Sequence, residues 1–451
     1  MKMLSKVQMN RDLTEGSIAG GITTFAIPVF LGQLLQQLYN VADAWVVGNF
    51  ADNHAFAAVA SSGSLVFLII GFFNGVAIGG GVVISHYFGA KDKKSVSCAI
   101  HTNFLFGIIS SIVATIVGLL GLPYLLELMK IPEEVMPESR MYFQIYIAGV
   151  TTVIMYNICM AVMRALGDSL HPLYYLLISS VVNIVLDLVL VAGLNMGVRG
   201  AAIATVFSQG LSMVLCIIRM CRETGDTKLE FKKLKYDSKM MKDVLRQGLP
   251  SGIQNSVISI GNIVVQTNIN SFGAYAMSGS GAYSKIEGFV FLPIMSMSMA
   301  LPTFISQNIG AAKYKRAKKG AAFGILSGMI MAEVVGVIFY IWCPAGIRLF
   351  VDSAKAVEFG TLHGRTVSLF FFLLAFSHCA AGVLRGCGKS IIPMAAMLAF
   401  WCGVRIVYVT LILQVIPKFQ MIAWAYPLTW TLSTIVFLVS LWKLDWKHAA
   451  I

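Results

Sequence analysis

Four acidic side chains fall inside long apolar stretches of the sequence: Asp43, Asp187, Glu287 and Glu333. A carboxylate in the hydrocarbon core of a membrane costs roughly 3 kcal/mol unless it faces a cavity or a partner. Most of the 21 acidic residues lie in predicted loops instead. These four are therefore the first candidates for a path taken by an ion or a substrate.

Asp43 lies near the outer end of the first predicted helix. Polar residues recur along this helix at spacings of three and four, which places them on one face: Gln33, Gln36, Tyr39, Asn40 and Asp43. Pro28 lies about four turns earlier, where its missing N–H permits a bend, and we predict a hinge there. Gln36 and Asn40, with Asn157 of the predicted fourth helix, are candidate residues of a substrate cavity.

Asn183 and Asp187 are four residues apart on the predicted fifth helix and share a face. We predict that they form one polar network with Asp43. Two carboxyl groups in an apolar environment titrate as a coupled pair and could release a proton near neutral pH. The same oxygens suit Na⁺, a hard cation, and this would be the only metal site. The alternative is that Asp43 lies at the membrane surface, solvated near Asn49 and Asp52.

Glu287 and Glu333 are second-tier acids, for which a structural and a functional role are both open. Glu287 follows Lys285 by two residues, so the two side chains do not face each other on one helix. Among the histidines, we expect only His378 to lie within the bilayer, where it would pack against neighbouring helices.

The composition is that of an integral membrane protein. The chain is 57% hydrophobic and 12% charged, whereas a soluble domain carries about 25% charged residues. Apolar stretches of about 20 residues predict an all-α fold of about twelve transmembrane helices. The stretches lie near residues 18–40, 56–80, 97–121, 141–162, 172–193, 200–218, 248–270, 280–304, 320–341, 366–384, 391–414 and 421–442.

The formal charge of +13 does not indicate nucleic-acid binding, because the cations sort by loop to one side of the predicted membrane. The positive-inside rule then places both termini in the cytoplasm of a multi-pass protein of the cell membrane. The longest polar segment, 221–243, is a predicted cytoplasmic linker between an N-terminal six-helix lobe (1–220) and a C-terminal six-helix lobe (244–451).

The two predicted lobes are copies of one another. Two motifs recur at one constant shift: Arg164-Ala165-Leu166-Gly167-Asp168-Ser169 as Arg385-Gly386-Cys387-Gly388-Lys389-Ser390, and Ser85-His86-Tyr87-Phe88-Gly89-Ala90 as Ser306-Gln307-Asn308-Ile309-Gly310-Ala311. Parallel repeats of six helices predict two pseudo-symmetric lobes with a binding cavity at their interface. Neither this shift nor one that is longer by a single position places an acid at the counterparts of Asp43, Asn183 and Asp187. We therefore assign ion coupling to the N-terminal lobe.

Enzyme and ATPase motifs are not found. Gly388-Lys389-Ser390 resembles the end of a phosphate-binding loop, but the required earlier glycine is Val383. The histidines and cysteines lack metal-ligand or disulfide spacing, and neither a nucleophile elbow nor HExxH occurs. We expect a protein without enzymatic activity and without a cofactor.

The motifs together resemble the multidrug and toxic compound extrusion (MATE) family of the MOP flippase superfamily. They are Tyr39-Asn40-Val41-Ala42-Asp43-Ala44-Trp45-Val46-Val47-Gly48, Ser85-His86-Tyr87-Phe88-Gly89-Ala90-Lys91, Arg164-Ala165-Leu166-Gly167-Asp168-Ser169, Asn183-Ile184-Val185-Leu186-Asp187 and their second-half copies. The resemblance implies two six-helix bundles in a V shape. Its DinF-like branch implies ion coupling at Tyr39, Asp43, Asn183, Asp187 and Thr205, with bending at Pro28. The NorM-like branch carries acids where this chain has Ile258 and Leu374.

The resulting expectation is a monomeric secondary active multidrug antiporter. It would exchange H⁺ or Na⁺ for small cationic or amphipathic organic compounds by alternating access. The alternative is a lipid-linked oligosaccharide flippase of the same superfamily, which needs a cationic cavity to hold pyrophosphate. The embedded cations are mainly Lys285 and Arg405, whereas the first helix is acidic and rich in amides, which favours cationic or neutral substrates.

Overall fold

The computed structural model describes residues 12–51, 53–128, 131 and 133–449, without side-chain detail at 53–69, 125 and 128. This part of the chain folds into helices only. The N-terminal half contains α1 Ile18–Phe50, α2 Asn53–Gly89, α3 Lys93–Leu128, α4 Met136–Ala148, α5 Val150–Ala165, α6 Leu170–Asp187 and α7 Gly197–Arg222. The C-terminal half contains α8 Ser238–Asn270, α9 Ala274–Val290, α10 Leu292–Gly310, α11 Tyr314–Arg348, α12 Ala354–Ser368, α13 Phe371–Gly386, α14 Ile391–Met397, α15 Arg405–Val415 and α16 Phe419–Trp442.

The predicted set of about twelve apolar helices is confirmed in the described part of the chain. Eight helical segments are long and apolar enough to cross a membrane, and three bent pairs pass the same test as single spans. The 33-residue helix α8 supplies one further helix at the predicted position. Two of these segments contain π-helical turns, at Leu188–Gly193 after α6 and at Leu398–Val404 between α14 and α15.

Three predicted continuous helices are bent, and the prediction of unbroken apolar spans was wrong there. The bends are 46° between α4 and α5, 43° between α9 and α10, and 56° between α12 and α13. α10 begins with a proline in its first turn, which cannot donate a helical hydrogen bond. At the third bend, Glu333 of α11 accepts the Phe372 N–H at 3.3 Å, satisfying a backbone donor of the first turn of α13.

The described helices divide into two compact units. The N-terminal unit contains Leu31–Gly248, and the C-terminal unit contains Leu13–Phe30 together with the chain from Leu249 onward. The chain passes between units inside α1, two residues after Pro28, and again inside α8, beside Pro250. Each half of the chain thus contributes the start of its first helix to the other unit.

Small residues bring α9 and α12 together in the C-terminal unit. A Cβ atom added to Gly279 would lie 2.1 Å from the Ala356 carbonyl oxygen, and one added to Gly360 would lie 2.5 Å from the Gly279 oxygen. Close backbone approach through glycine is typical of helix pairs in membranes. This approach sets the distance between the side chains that α9 and α12 present one turn further along.

Candidate functional site

Asp43 of α1 and Asp187 at the end of α6 lie in the N-terminal unit, within hydrogen-bonding distance of each other. Two carboxyl oxygens share a hydrogen bond only when one of them carries a proton. Asp187 is 0% exposed, and among the described residues the Oδ1 atoms of both acids have no hydrogen-bond partner. The pair is therefore arranged to hold a proton and has oxygen atoms left for a further ligand.

Amide and hydroxyl groups hold the carboxyl pair from two sides. The surroundings orient the Asn183 amide so that its nitrogen donates to Asp187 Oδ2 at 2.8 Å and its oxygen accepts the Thr205 N–H at 3.3 Å. The Tyr39 hydroxyl donates a long hydrogen bond of 3.5 Å to Thr205 Oγ1. Since Tyr39 precedes Asp43 by one turn and Asn183 precedes Asp187 by one turn, each helix presents two members of the network on one face.

Three predicted cavity residues are bonded elsewhere. Gln36 donates to Asn40 Oδ1 one turn later at 3.5 Å, and Asn157 donates to the Val153 carbonyl of its own helix at 2.8 Å. The structure thus brings together Tyr39, Asp43, Asn183, Asp187 and Thr205 and leaves these three outside that network.

Tyr142 and Tyr146 of α4 were not among the predicted site residues. Both are buried, their rings stack with centroids 6.1 Å apart, and Tyr142 lies within electrostatic range of Asp43 and Asp187. They form an aromatic wall beside the carboxyl pair. Their spacing of four residues on a helix is the signal that could have found them.

α6 leaves α-helical geometry directly after Asp187. The π-helical turn Leu188–Gly193 begins at the next residue. Such turns occur frequently at functional sites, because the wider ring re-aims side chains and carbonyl groups. The last residue of the regular helix is therefore the acid of the network.

The second-tier acids lie in the C-terminal unit. Glu333 binds the first turn of α13, as described above, and Glu287 accepts a hydrogen bond of 2.8 Å from the Tyr283 hydroxyl. His378 packs against Phe291 and Trp401, as expected for a packing residue. The expectation that His378 alone lies within the bilayer was wrong, because His363 is buried in α12, inside a bent span that the sequence predicted to start later.

Residues 28–189 and 250–411 each match the MatE family pattern, so the chain belongs to the MatE family, whose characterised relatives are multidrug transporters. The two segments have the same length, so position 28 corresponds to position 250 and position 189 to position 411, which settles the register of the internal repeat. The chain is 27% identical, over 86% of its length and 87% of the relative's, to the "Probable multidrug resistance protein YpnP" of Bacillus subtilis.

Two solved structures share the fold over nearly the whole chain. One is an outward-facing multidrug resistance MATE family transporter of the MOP superfamily, with 21% identity, a TM-score of 0.90 and coverage of 97% of this chain and 98% of that one. The other is a MOP superfamily transporter from Pyrococcus furiosus described as having a binding pocket of reverse polarity, with 20% identity, a TM-score of 0.88 and coverage of 97% of both chains. These likenesses confirm the all-α MATE fold.

Proposed function

We propose that this protein is a secondary active antiporter that exports small cationic or amphipathic organic compounds in exchange for an ion bound at Asp43 and Asp187. The observation that carries the proposal is the hydrogen-bonding contact between these two acids, inside a membrane-spanning part of a MatE protein. A buried carboxyl pair that shares one proton can take up and release it as its access to either side changes.

The geometry favours H⁺ over Na⁺ as the coupling ion. A shared hydrogen bond needs a proton between the two carboxyl groups, and Asn183 already donates to the second oxygen of Asp187. A Na⁺ ion would require both acids to be ionised and the Asn183 amide to turn its oxygen inward. The proposed order of events is ion uptake and drug release on the outer side, then ion release and drug binding on the inner side.

Pro28 is the proposed hinge of this cycle. It lies in α1 two residues before the chain passes into the N-terminal unit, and Asp43 lies four turns further along the same helix. A proline inside a helix removes one backbone hydrogen bond and allows bending there. Loss or gain of charge at Asp43 would then change how α1 bends. The proposed setting is a monomer in the cell membrane, with both termini in the cytoplasm.

The flippase alternative has weaker support from the geometry. Its best cation is Arg405, which is 2% exposed and donates to Asn262 and Thr429. A guanidinium committed in this way offers little to a pyrophosphate group. We therefore place export of cationic or neutral compounds first.

Ethidium transport by everted vesicles that contain the protein tests the proposal. The vesicles are energised separately by a proton gradient and by a sodium gradient, and vesicles with Asp187→Asn serve as the inactive control. Transport driven by the proton gradient supports the H⁺ antiporter, and transport driven by sodium alone reassigns the ion. Lack of transport with either gradient contradicts the proposed function.

A further inference from the structure

A second group of buried polar side chains lies in the C-terminal unit, away from the acids of the N-terminal unit. Its acid is Glu287 of α9, whose Oε1 accepts a hydrogen bond from the Tyr283 hydroxyl at 2.8 Å. Tyr283 is 2% exposed and lies one turn earlier on the same helix. A buried phenol that donates to a carboxyl group fixes the position of that group and favours its retention inside the bilayer.

Arg405 at the start of α15 is the cation of this group. Its Nη1 donates to Asn262 Oδ1 at 3.3 Å and its Nη2 to Thr429 Oγ1 at 3.0 Å, while its Nε has no hydrogen-bond partner in the described part of the chain. The guanidinium lies over the Tyr426 ring at 4.5 Å, and its charge acts on Glu287. An arginine stays protonated, so its positive charge is fixed.

The remaining titratable groups around Glu287 come from the neighbouring helices. His363 of α12 stacks on the Tyr283 ring with centroids 4.4 Å apart, is 3% exposed, and both its ring nitrogens lack hydrogen-bond partners among the described residues. The full set that acts on Glu287 or on Tyr283 is Lys285 of α9, His363 of α12, Cys343 of α11, Arg405 of α15 and Tyr426 of α16. Glu287 is the one acid in this set.

The internal repeat relates this group to the carboxyl pair. In the register of the two MatE segments, Arg405 corresponds to Asn183 and Asn262 corresponds to Asn40, while valines take the places of Asp43 and Asp187. Polar residues on the first and fifth helices of a half therefore recur in both units. In the C-terminal unit the acid comes instead from α9, at a position that differs from Ile258 and Leu374.

We propose that Glu287 is a second proton-binding carboxyl group of this transporter, with Tyr283 as its hydrogen-bond donor and Arg405 as its fixed counter-charge. The step is the addition of one proton to the Glu287 carboxylate, which gives a neutral carboxylic acid and leaves Arg405 uncompensated. A metal cation is disfavoured here, because the guanidinium already supplies the positive charge. The proposed antiporter gives this proton a use, but its binding does not depend on the Asp43–Asp187 pair.

Infrared difference spectroscopy of the purified protein in lipid, recorded on lowering the pH, detects this proton directly. A carboxylic acid has a C=O stretching band that a carboxylate lacks. We expect one such band to disappear in Glu287→Gln, to remain in Glu333→Gln, and to move in Tyr283→Phe, which keeps the acid and removes its donor. A difference spectrum unchanged in Glu287→Gln would overturn the inference.

The measurement separates this inference from the proposed function. If gradient-driven ethidium transport is absent and the Glu287 band is present, the antiporter proposal fails and the second site stands. If transport is normal and the band is absent, the opposite holds. Should Glu287→Gln not yield folded protein, Tyr283→Phe decides alone: a shifted band supports the site, and an unshifted spectrum rejects it.

Discussion

Arg405 occupies in the second MatE segment the position that Asn183 occupies in the first, and it carries a guanidinium where Asn183 has a neutral amide. Asn183 donates to Asp187 on its own helix, whereas Arg405 donates to Asn262 of α8 and Thr429 of α16. Duplicated halves with one fold have therefore acquired a different charge at one position. This difference matches the proposed division of labour, in which the N-terminal unit holds the coupling acids.

Replacement of either member of the carboxyl pair tests the coupling site. We expect Asp43→Asn and Asp187→Asn to abolish gradient-driven ethidium transport, because neither variant can share and release the proton. Asp92→Asn, an exposed acid between α2 and α3, is the matched control and should transport normally. Full transport by both single variants, at equal amounts in the membrane, would remove the pair from the mechanism.

Pro28→Ala tests the hinge. Alanine restores the missing N–H and stiffens α1, so we expect transport to slow several-fold while ethidium binding is retained. Pro123→Ala makes the same change inside α3 and should leave the rate near that of the unchanged protein. Equal rates for both variants would contradict a hinge at Pro28.

Gly279 and Gly281 form a matched pair for the packing of α9. A Cβ atom at Gly279 would meet the Ala356 carbonyl, whereas one at Gly281 has no atom within 4 Å. We expect Gly279→Val to destabilise the protein by about 2 kcal/mol and Gly281→Val to have little effect. Thermal unfolding in detergent, followed by size-exclusion chromatography, measures both. Similar melting temperatures would show that the α9–α12 approach is not critical.

Glu333 is expected to have a structural role rather than one in coupling. Glu333→Ala leaves the Phe372 N–H without its acceptor and should cost about 1 kcal/mol, whereas Glu333→Gln keeps an oxygen acceptor and should retain stability. Both variants should transport ethidium at normal rates per folded molecule. Loss of coupling in Glu333→Gln, with unchanged melting temperature, would assign Glu333 to the ion path instead.

Arg316 anchors the start of α1 within the C-terminal unit. Its guanidinium donates to the carbonyl oxygens of Leu13, Glu15 and Gly16 at 2.7 to 3.4 Å. We expect Arg316→Ala to lower stability by about 2 kcal/mol and to expose this segment to protease. Lys318→Ala, an exposed position on the same helix, is the control for charge removal. Identical proteolysis of the two variants would argue against the anchor.

The spacing of residues predicted the helices and much of the candidate network. Polar residues at intervals of four on two apolar helices placed Tyr39 with Asp43 and Asn183 with Asp187, because helical periodicity alone decides which side chains share a face. The all-α fold and the MatE family are confirmed. The coupling role of the network remains a prediction.

Other features depend on contacts that the sequence does not encode locally. Glu333 was open between two roles until its acceptor contact with Phe372, 39 residues away, was known. The bends at α4–α5, α9–α10 and α12–α13 lie inside apolar stretches that read as continuous, so His363 was placed outside the bilayer. Tyr142 and Tyr146 belong to the site through packing between helices, which hydropathy does not record.

The exchange of half-helices between the units has a consequence for the ancestry of the fold. A chain with only one half would lack the start of the first helix of its own unit, since α1 and α8 each give that part away. Before gene fusion, such a protein would have been complete only as a dimer with swapped segments. By the same reasoning, a chain cut between α7 and α8 should regain function only when both fragments are co-expressed, and neither fragment should fold alone.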